Sequence, residues 1–249
     1  MRLRLLFASL MLVSLSVLHA QDLAGTCHAS SSYDLTVKPD SLMFDRPQPA
    51  PFHVQVADGS LRTDGAVVRL RAEDQDRLVL FERELRALVP RVRSVADAGV
   101  DLAVRAVYEE AAGMQLAPAT LAELDRRLAA HAAELKQRIA QSNSTHDWQG
   151  DAGQQLADRI GGDLAPLVAA DLGQQALAAA MNGDLAEAAR LRDQAADLAT
   201  QLQPRLQRRM QALRPQVLAL CPAIRRLADL QQGVRGAGGQ PIDLLQVGP

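Results

Sequence analysis

The sequence predicts an α+β fold that is mostly α: a small N-terminal antiparallel β-meander followed by an elongated antiparallel helical bundle. Three observations lead there. Asp58-Gly59 and Asp64-Gly65 are separated by the four residues Ser60 to Thr63 and flanked by Val54, Val56, Leu61, Val67, Val68 and Leu70, the pattern of two tight hairpin turns. Directly after them, Leu78, Phe81, Leu85, Leu88, Val92, Val95, Gly99, Leu102 and Ala106 recur in alternating steps of three and four. Such a seam is one face of a long helix that other helices must cover. Beyond the leader the aromatic residues are only Tyr33, Phe44, Phe52, Phe81, Tyr108 and Trp148, so the core must be Leu, Val and Ala. Helices packed through such small residues approach closely and leave little room for a large preformed ligand cavity.

At the N-terminus, Arg2 and Arg4 precede an apolar run from Leu5 to Leu18, and Ala20 is a small residue before a cleavage point at Gln21. The run is shorter than the roughly 20 apolar residues of a membrane-spanning helix, so residues 1–20 read as a secretory signal peptide. Leu23-Ala24-Gly25-Thr26-Cys27 has the look of a lipoprotein signal, but Thr26 adds one residue too many before the cysteine. No later segment is apolar for long enough to insert stably in a bilayer, so the expectation is a soluble, exported protein in the periplasm.

Removing Arg2 and Arg4 leaves 25 basic residues against 29 acidic ones, a net charge of −4. A mildly acidic chain excludes nucleic acid as a partner, because phosphate contacts demand a basic face. Nearly all the basic residues are Arg, with only Lys38 and Lys136 as Lys, which reads as base composition of the genome rather than as an arginine site. The two cysteines, Cys27 and Cys221, lie near opposite ends of the exported chain. In an oxidising compartment a lone pair is most simply a disulfide, the alternative being two unconnected thiols.

From the leader onward, residues 21–72 form the meander region. Tyr33 to Val37 and Ser41 to Phe44 alternate as strands around the turn Lys38-Pro39-Asp40. Arg46 to Pro51 holds three prolines in six residues and cannot pair in a ladder, whereas Phe52 to Ala57 resumes the strand pattern. About five short strands result, marginal alone and in need of a helix over their apolar face.

Residues 73–232 form the helical body, one domain with the meander. Glu73, Asp74 and Asp76 place negative charge at the positive end of the first helix. Pro90 predicts a kink within it, and Gly113 its end. Pro118 opens a second helix carrying Leu121, Leu124, Leu128, Leu135 and Ile139, which fades into the polar run Gln141 to Gly150. Residues 151–182 keep helical spacing through Leu156, Ile160, Leu164, Val168 and Leu172, yet contain Gly161, Gly162, Pro166 and Gly173, each a cost in a helix interior. Asn182-Gly183 closes that stretch, and Asp184 with Glu187 forms a capping box for the next. Leu206, Met210, Leu213, Val217, Leu220, Ile224 and Leu227 show heptad coiled-coil spacing, opened by Pro204 and interrupted by Pro215 and Pro222, which predicts a segmented helix packed on the first. Residues 233–249, with the glycine-rich Gly233 to Gln240, read as a flexible tail.

Several residues have a chemistry to weigh. Cys27, His28 and Cys221 could form a soft-metal site, but paired His and Cys spacing is missing, and a disulfide beside a solvent-facing histidine is the stronger reading. His146-Asp147-Trp148 offers imidazole, carboxylate and indole, though sequence neighbours point apart in a helix. Glu109-Glu110 could supply an acid or base, but nothing nearby argues for a shifted pKa. Gly236-Ala237-Gly238-Gly239 lacks the lysine of a phosphate loop, and Asn143-Ser144-Thr145 is a glycosylation sequon by spelling only. No serine elbow, phosphate-cradling loop or zinc-helix motif occurs. The sequence therefore assigns no catalytic, cofactor-binding or metal residue and implies no cofactor.

Gly59-Ser60-Leu61, Asp64-Gly65, Val68, Leu70, the acidic helix start, Leu85 and Leu88-Val89-Pro90 together resemble the YggN-like family of proteobacterial periplasmic proteins. The cysteine just after the leader and the late Leu220-Cys221 followed by Ile224-Arg225-Arg226-Leu227 carry the same resemblance. Arg71 departs from the hydroxyl residue that members place before the acidic helix start, and residues 140 to 190 match loosely. The resemblance implies location and architecture, and the family, a domain of unknown function, supplies no activity to transfer. The reading is a non-enzymatic periplasmic protein whose amphipathic helices contact an envelope protein or peptide, its oligomeric state open. The alternative is a hydrolase-like periplasmic enzyme with a site assembled from sequence-distant residues, which a deep pocket with convergent polar side chains would favour.

Overall fold

The computed structural model describes residues 26–148 and 152–248; the expected leader, residues 1–20, lies outside them. The fold is α+β and mostly helical. An antiparallel meander of five strands, β2 Asp34–Val37, β3 Leu42–Asp45, β4 His53–Ala57, β5 Ser60–Thr63 and β6 Ala66–Val67, pairs in chain order. Before it comes β1, Ala29–Ser30. Six α-helices follow among the described residues: α1 Ala72–Ala112, α2 Pro118–Gln141, α3 Ala152–Met181, α4 Leu185–Met210, α5 Arg214–Leu218 and α6 Cys221–Gln231. Last comes β7, Gln246–Val247.

Both predicted hairpins form. Asp58 and Gly59 have φ of 47° and 75°, and Asp64 and Gly65 have 49° and 82°, the doubly positive pair that matches strand twist. The register sets Leu42 opposite Val56, Phe44 opposite Val54 and Val56 opposite Leu61, so alternate residues of three strands share one buried face. Leu78, Phe81 and Leu85 of α1 cover it.

With 41 residues, α1 is roughly 60 Å long at 1.5 Å per residue. It runs through Pro90 without interruption. Its N-cap Arg71 makes no side-chain cap; its guanidinium instead binds Asp74 at 2.9 Å and, through that hydrogen bond first, lowers the Asp74 pKa. Along α1 sit three apolar clusters: the sheet core at the N-terminal end, a small cluster around the cysteines with Leu88 and Val95, and at the far end a core of Ala111, Met114, Leu124, Leu164 and Leu172 shared with α2 to α4. Three seam positions do not behave as the periodicity suggests: Val92, Leu121 and Met210 are exposed.

The glycines and proline of residues 151–182 do not break the chain, since α3 is one continuous helix from Ala152. Leu164, Val168 and Leu172 bury on the α1, α2 and α4 side, and that packing overrides propensity. Asp171, itself buried, accepts a 2.7 Å hydrogen bond from the Ala117 N–H and so caps α2 from across the bundle. Half of the predicted capping box of α4 forms: Asp184 accepts from the Glu187 N–H at 2.9 Å, after Gly183 at φ 83°, while the Glu187 carboxylate is taken by Arg190 and the Asp184 N–H by the Ala179 carbonyl. Pro204 does not open a helix, because α4 begins at Leu185. Pro215 and Pro222 stand in the first turns of α5 and α6, where the missing N–H costs least, and the segmented stretch packs along α1 as expected.

The C-terminal segment corrects the expectation of a flexible tail. Val234, Ile242 and Leu244 are buried in the sheet core, and β7 pairs antiparallel with β1, Ala29 opposite Val247. The buried Gln231 amide holds it there: its Oε1 accepts from the Leu244 and Leu245 N–H groups at 2.8 and 3.2 Å, and its Nε2 donates to the Leu245 carbonyl. The glycines are not slack: they make a turn in which the Ala237 N–H donates to Thr63 Oγ1 at 3.0 Å.

Candidate functional site

Cys27 and Cys221 are joined in a disulfide spanning 194 residues, both sulfurs buried, and it ties the start of the described chain to the first turn of α6. His28 is exposed at positive φ beside it. Among the described residues no group of three or more His, Cys, Asp or Glu side chains is placed to hold a metal ion.

His146, Asp147 and Trp148 form a dock rather than a reactive trio. Trp148 Nε1 donates to Ser142 Oγ at 2.8 Å, that hydroxyl donates to Asp147 Oδ2 at 3.0 Å, and His146 Nδ1 lies 3.3 Å from Asp34 Oδ2. The sequon residues Asn143, Ser144 and Thr145 lie along the β2 edge: Val37 N–H donates to the Asn143 carbonyl at 2.8 Å and Leu35 N–H to Thr145 Oγ1 at 2.9 Å. The segment thereby covers a strand edge that would otherwise be open to pairing. Glu109 and Glu110 are engaged by Arg209 and Arg205 across the α1–α4 interface.

One titratable network was not visible in the sequence. Arg126 and Arg127 hydrogen-bond the Glu123 carboxylate and hold its pKa down to about 2. Arg127 continues to Asp163 of α3 at 2.7 Å, where His131 Nε2 sits 2.9 Å from the other carboxylate oxygen and, as the first cause, lowers the Asp163 pKa. The helix spacing of residues 123, 127 and 131 was readable, but not their facing α3. Its geometry joins two helices, α2 and α3.

The turn between α3 and α4 is different. Leu177, Met181 and Leu185 are 63, 80 and 71 % exposed, and they flank Asn182-Gly183, where a soluble protein ordinarily places polar residues. From this tip an open groove of about 540 Å³ runs between α3 and α4, lined by Ala169, Gly173, Ala176, Ala188 and Ala189 with Arg192. Small side chains lower the groove floor and let a helix or extended peptide approach closely. Among the described residues Arg192 is the only charged side chain on that lining, so the groove offers shape and apolar area rather than converging polar groups.

No curated protein and no solved structure matches the chain. A family model does: over residues 27–240, most of the chain, it matches the family described as Protein of unknown function (DUF2884). With that span, which includes the meander, the helical body and both cysteines, this chain belongs to the DUF2884 family.

Proposed function

We propose that this is an exported, YggN-like periplasmic protein that works without catalysis, receiving an amphipathic helix or peptide of another envelope protein on the α3–α4 tip and its groove. Support for export comes from the leader pattern of residues 1–20 and from a buried disulfide, which persists in oxidising compartments. The observation that carries the binding reading is the exposure of Leu177, Met181 and Leu185 around one turn. Burying three such side chains under a partner is worth several kcal/mol of apolar transfer, of order 1.5–3 kcal/mol each. Helix-in-groove recognition uses apolar anchors of this kind.

Site-specific photocrosslinking tests it in the producing cell. A photoreactive residue at Met181 gives a discrete adduct with one envelope protein, the same residue at Arg62 does not, and Leu177→Ser/Leu185→Ser abolishes the adduct while the fold is kept. Adducts of equal yield from both positions, or none from either, overturn the reading. Cell fractionation of the full-length chain tests export separately: recovery in the cytoplasm would defeat it.

A further inference from the structure

A second surface has the opposite chemistry to the tip. Residues 198–228 contain Arg205, Arg208, Arg209, Arg214, Arg225 and Arg226 and not one Asp or Glu, in a chain that is acidic overall. Arg205 and Arg209 are engaged by Glu110 and Glu109, and Arg226 by Glu84 at 3.4 Å. Arg208, Arg214 and Arg225 are exposed, and no carboxylate among the described residues pairs with them. They are surplus positive charge.

The segment carrying them lies along α1 in one antiparallel run. Arg91 donates to the Ala219 carbonyl at 2.9 Å, and Gly99 lets Leu213 and Met210 close in, a Cβ there falling 3.3 Å from Leu213 Cδ1. With Leu213 turned toward α1, Arg208, Gln211, Arg214 and Leu218 follow at three- and four-residue spacing on the outward side. Leu218 is exposed on that outward run, Met210 is partly exposed at its α1-facing margin, and Val92, next to Arg91 on α1, is exposed as well. Basic side chains interleaved with exposed apolar ones are the pattern of a helix that lies in a lipid interface, guanidinium groups on the headgroups and apolar groups below them.

We infer that the α4–α5–α6 edge is a peripheral docking surface for an anionic phospholipid bilayer. Charge complementarity selects the occupant: cations without partners meet phosphate, and mixed apolar exposure favours acyl chains over an acidic protein face. No helix among the described residues is long and apolar enough to cross a membrane, so the contact is superficial. It would hold the protein at the membrane through the C-terminal end of α4 and the segments after it, leaving free the α3–α4 tip, where Leu185 lies 23 residues before Arg208 on the same helix and about 35 Å away at 1.5 Å per residue.

Co-sedimentation of the full chain from Gln21 with phosphatidylglycerol vesicles, against phosphatidylcholine vesicles, tests this. Binding is expected to phosphatidylglycerol only and to weaken with salt. Each arginine near a charged surface is worth about a fivefold change in partitioning, so Arg208→Gln/Arg214→Gln/Arg225→Gln lowers it about a hundredfold. Those side chains make no ion pair among the described residues, so circular dichroism of the variant should be unchanged. Arg62→Gln/Arg69→Gln/Arg159→Gln removes the same charge from other exposed positions and should leave partitioning within about twofold if the effect is local rather than one of net charge. Equal losses in the two variants, equal binding to both lipids, or retention on immobilised polyglutamate without vesicle binding would each overturn the inference.

Discussion

The two ends of α1 are built on different principles. At the sheet end, residues far apart in sequence meet: β1 pairs with β7, Gln231 holds Leu244 and Leu245, and Glu82 accepts from the Asp58 N–H at 3.0 Å while its partner Arg86 donates to the Lys38 carbonyl at 2.7 Å. The buried Thr63, Asp74, Glu82 and Gln231 side chains there are each satisfied by backbone or by an arginine, which fixes one arrangement. At the bundle end, α3 and α4 are neighbours in sequence, their core is Leu, Val and Ala, and they finish in three exposed apolar side chains. One end buries its apolar residues in its own core, and the other leaves some exposed.

The largest effect that would test the division is loss of the disulfide. In the chain-entropy model, closing a loop of 194 residues contributes about 5 kcal/mol, an upper figure. Cys27→Ser/Cys221→Ser should therefore reduce stability by up to that amount, and hydrogen exchange should speed up first around Ala29, Leu244 and the first turn of α6, with α3 and α4 slower to respond. A uniform loss of protection would show that the two ends unfold as one unit. Next in size is the core itself. Phe81, whose ring lies 6.2 Å from that of Phe44, is fully buried, and Phe81→Ala should cost about 4 kcal/mol; Leu172→Ala at the other end should cost about 3 kcal/mol. Denaturant unfolding of the two variants gives the comparison, and a larger loss at Leu172 would reverse it.

These contrasts also explain what could be read from residues alone. Turns and caps are local, so Asp58-Gly59, Asp64-Gly65 and Asp184 with Glu187 were legible, as was the α1 seam through Leu78, Phe81 and Leu85. The docking of residues 234–247 was not, because it depends on one glutamine of α6 turning inward, and a glutamine on an amphipathic helix gives no sign of doing so. Periodicity likewise says that Leu177 and Met181 are apolar, not that no neighbouring element extends far enough to cover them. The cysteine pair was legible from compartment and count. The surplus arginines were visible as residues but read as base composition, since only the structure shows which of them the carboxylates of α1 use.

Two glycines distinguish the ends of the molecule by a smaller energy. Both Gly59 and Gly183 have positive φ, but a Cβ on Gly59 would stand 2.8 Å from the Gln75 carbonyl oxygen in α1, whereas one on Gly183 meets nothing within 4 Å. Gly59→Ala combines backbone strain with a clash against helix backbone and should cost about 3 kcal/mol. Gly183→Ala carries the strain alone, about 1 kcal/mol. Thermal melting of the two separates the close approach of sheet to helix from the open turn at the tip; equal shifts would mean that the β4–β5 turn does not bear on α1.

The smallest effect concerns pH at the bundle end. Glu123 has its pKa lowered to about 2 by hydrogen bonds from Arg126 and then Arg127. Because the folded value lies below the unfolded one, whatever stability the carboxylate contributes is present above the ordinary glutamate range and is lost as pH falls from that range through about 2. The group is solvent-exposed, so screening keeps the contribution minor. Its consequence is mainly geometric, since Arg127 also reaches Asp163, and a protonated Glu123 no longer orients that guanidinium between α2 and α3. Carboxyl carbon shifts followed by NMR should give Glu123 a midpoint near 2, and Arg126→Gln should raise it toward the ordinary value. An ordinary midpoint in the unaltered protein would mean that the arginine fork is not held in solution, and the α2–α3 contact would then rest on apolar side chains such as Leu124, Leu128 and Leu164 with the His131–Asp163 and Ala117–Asp171 hydrogen bonds.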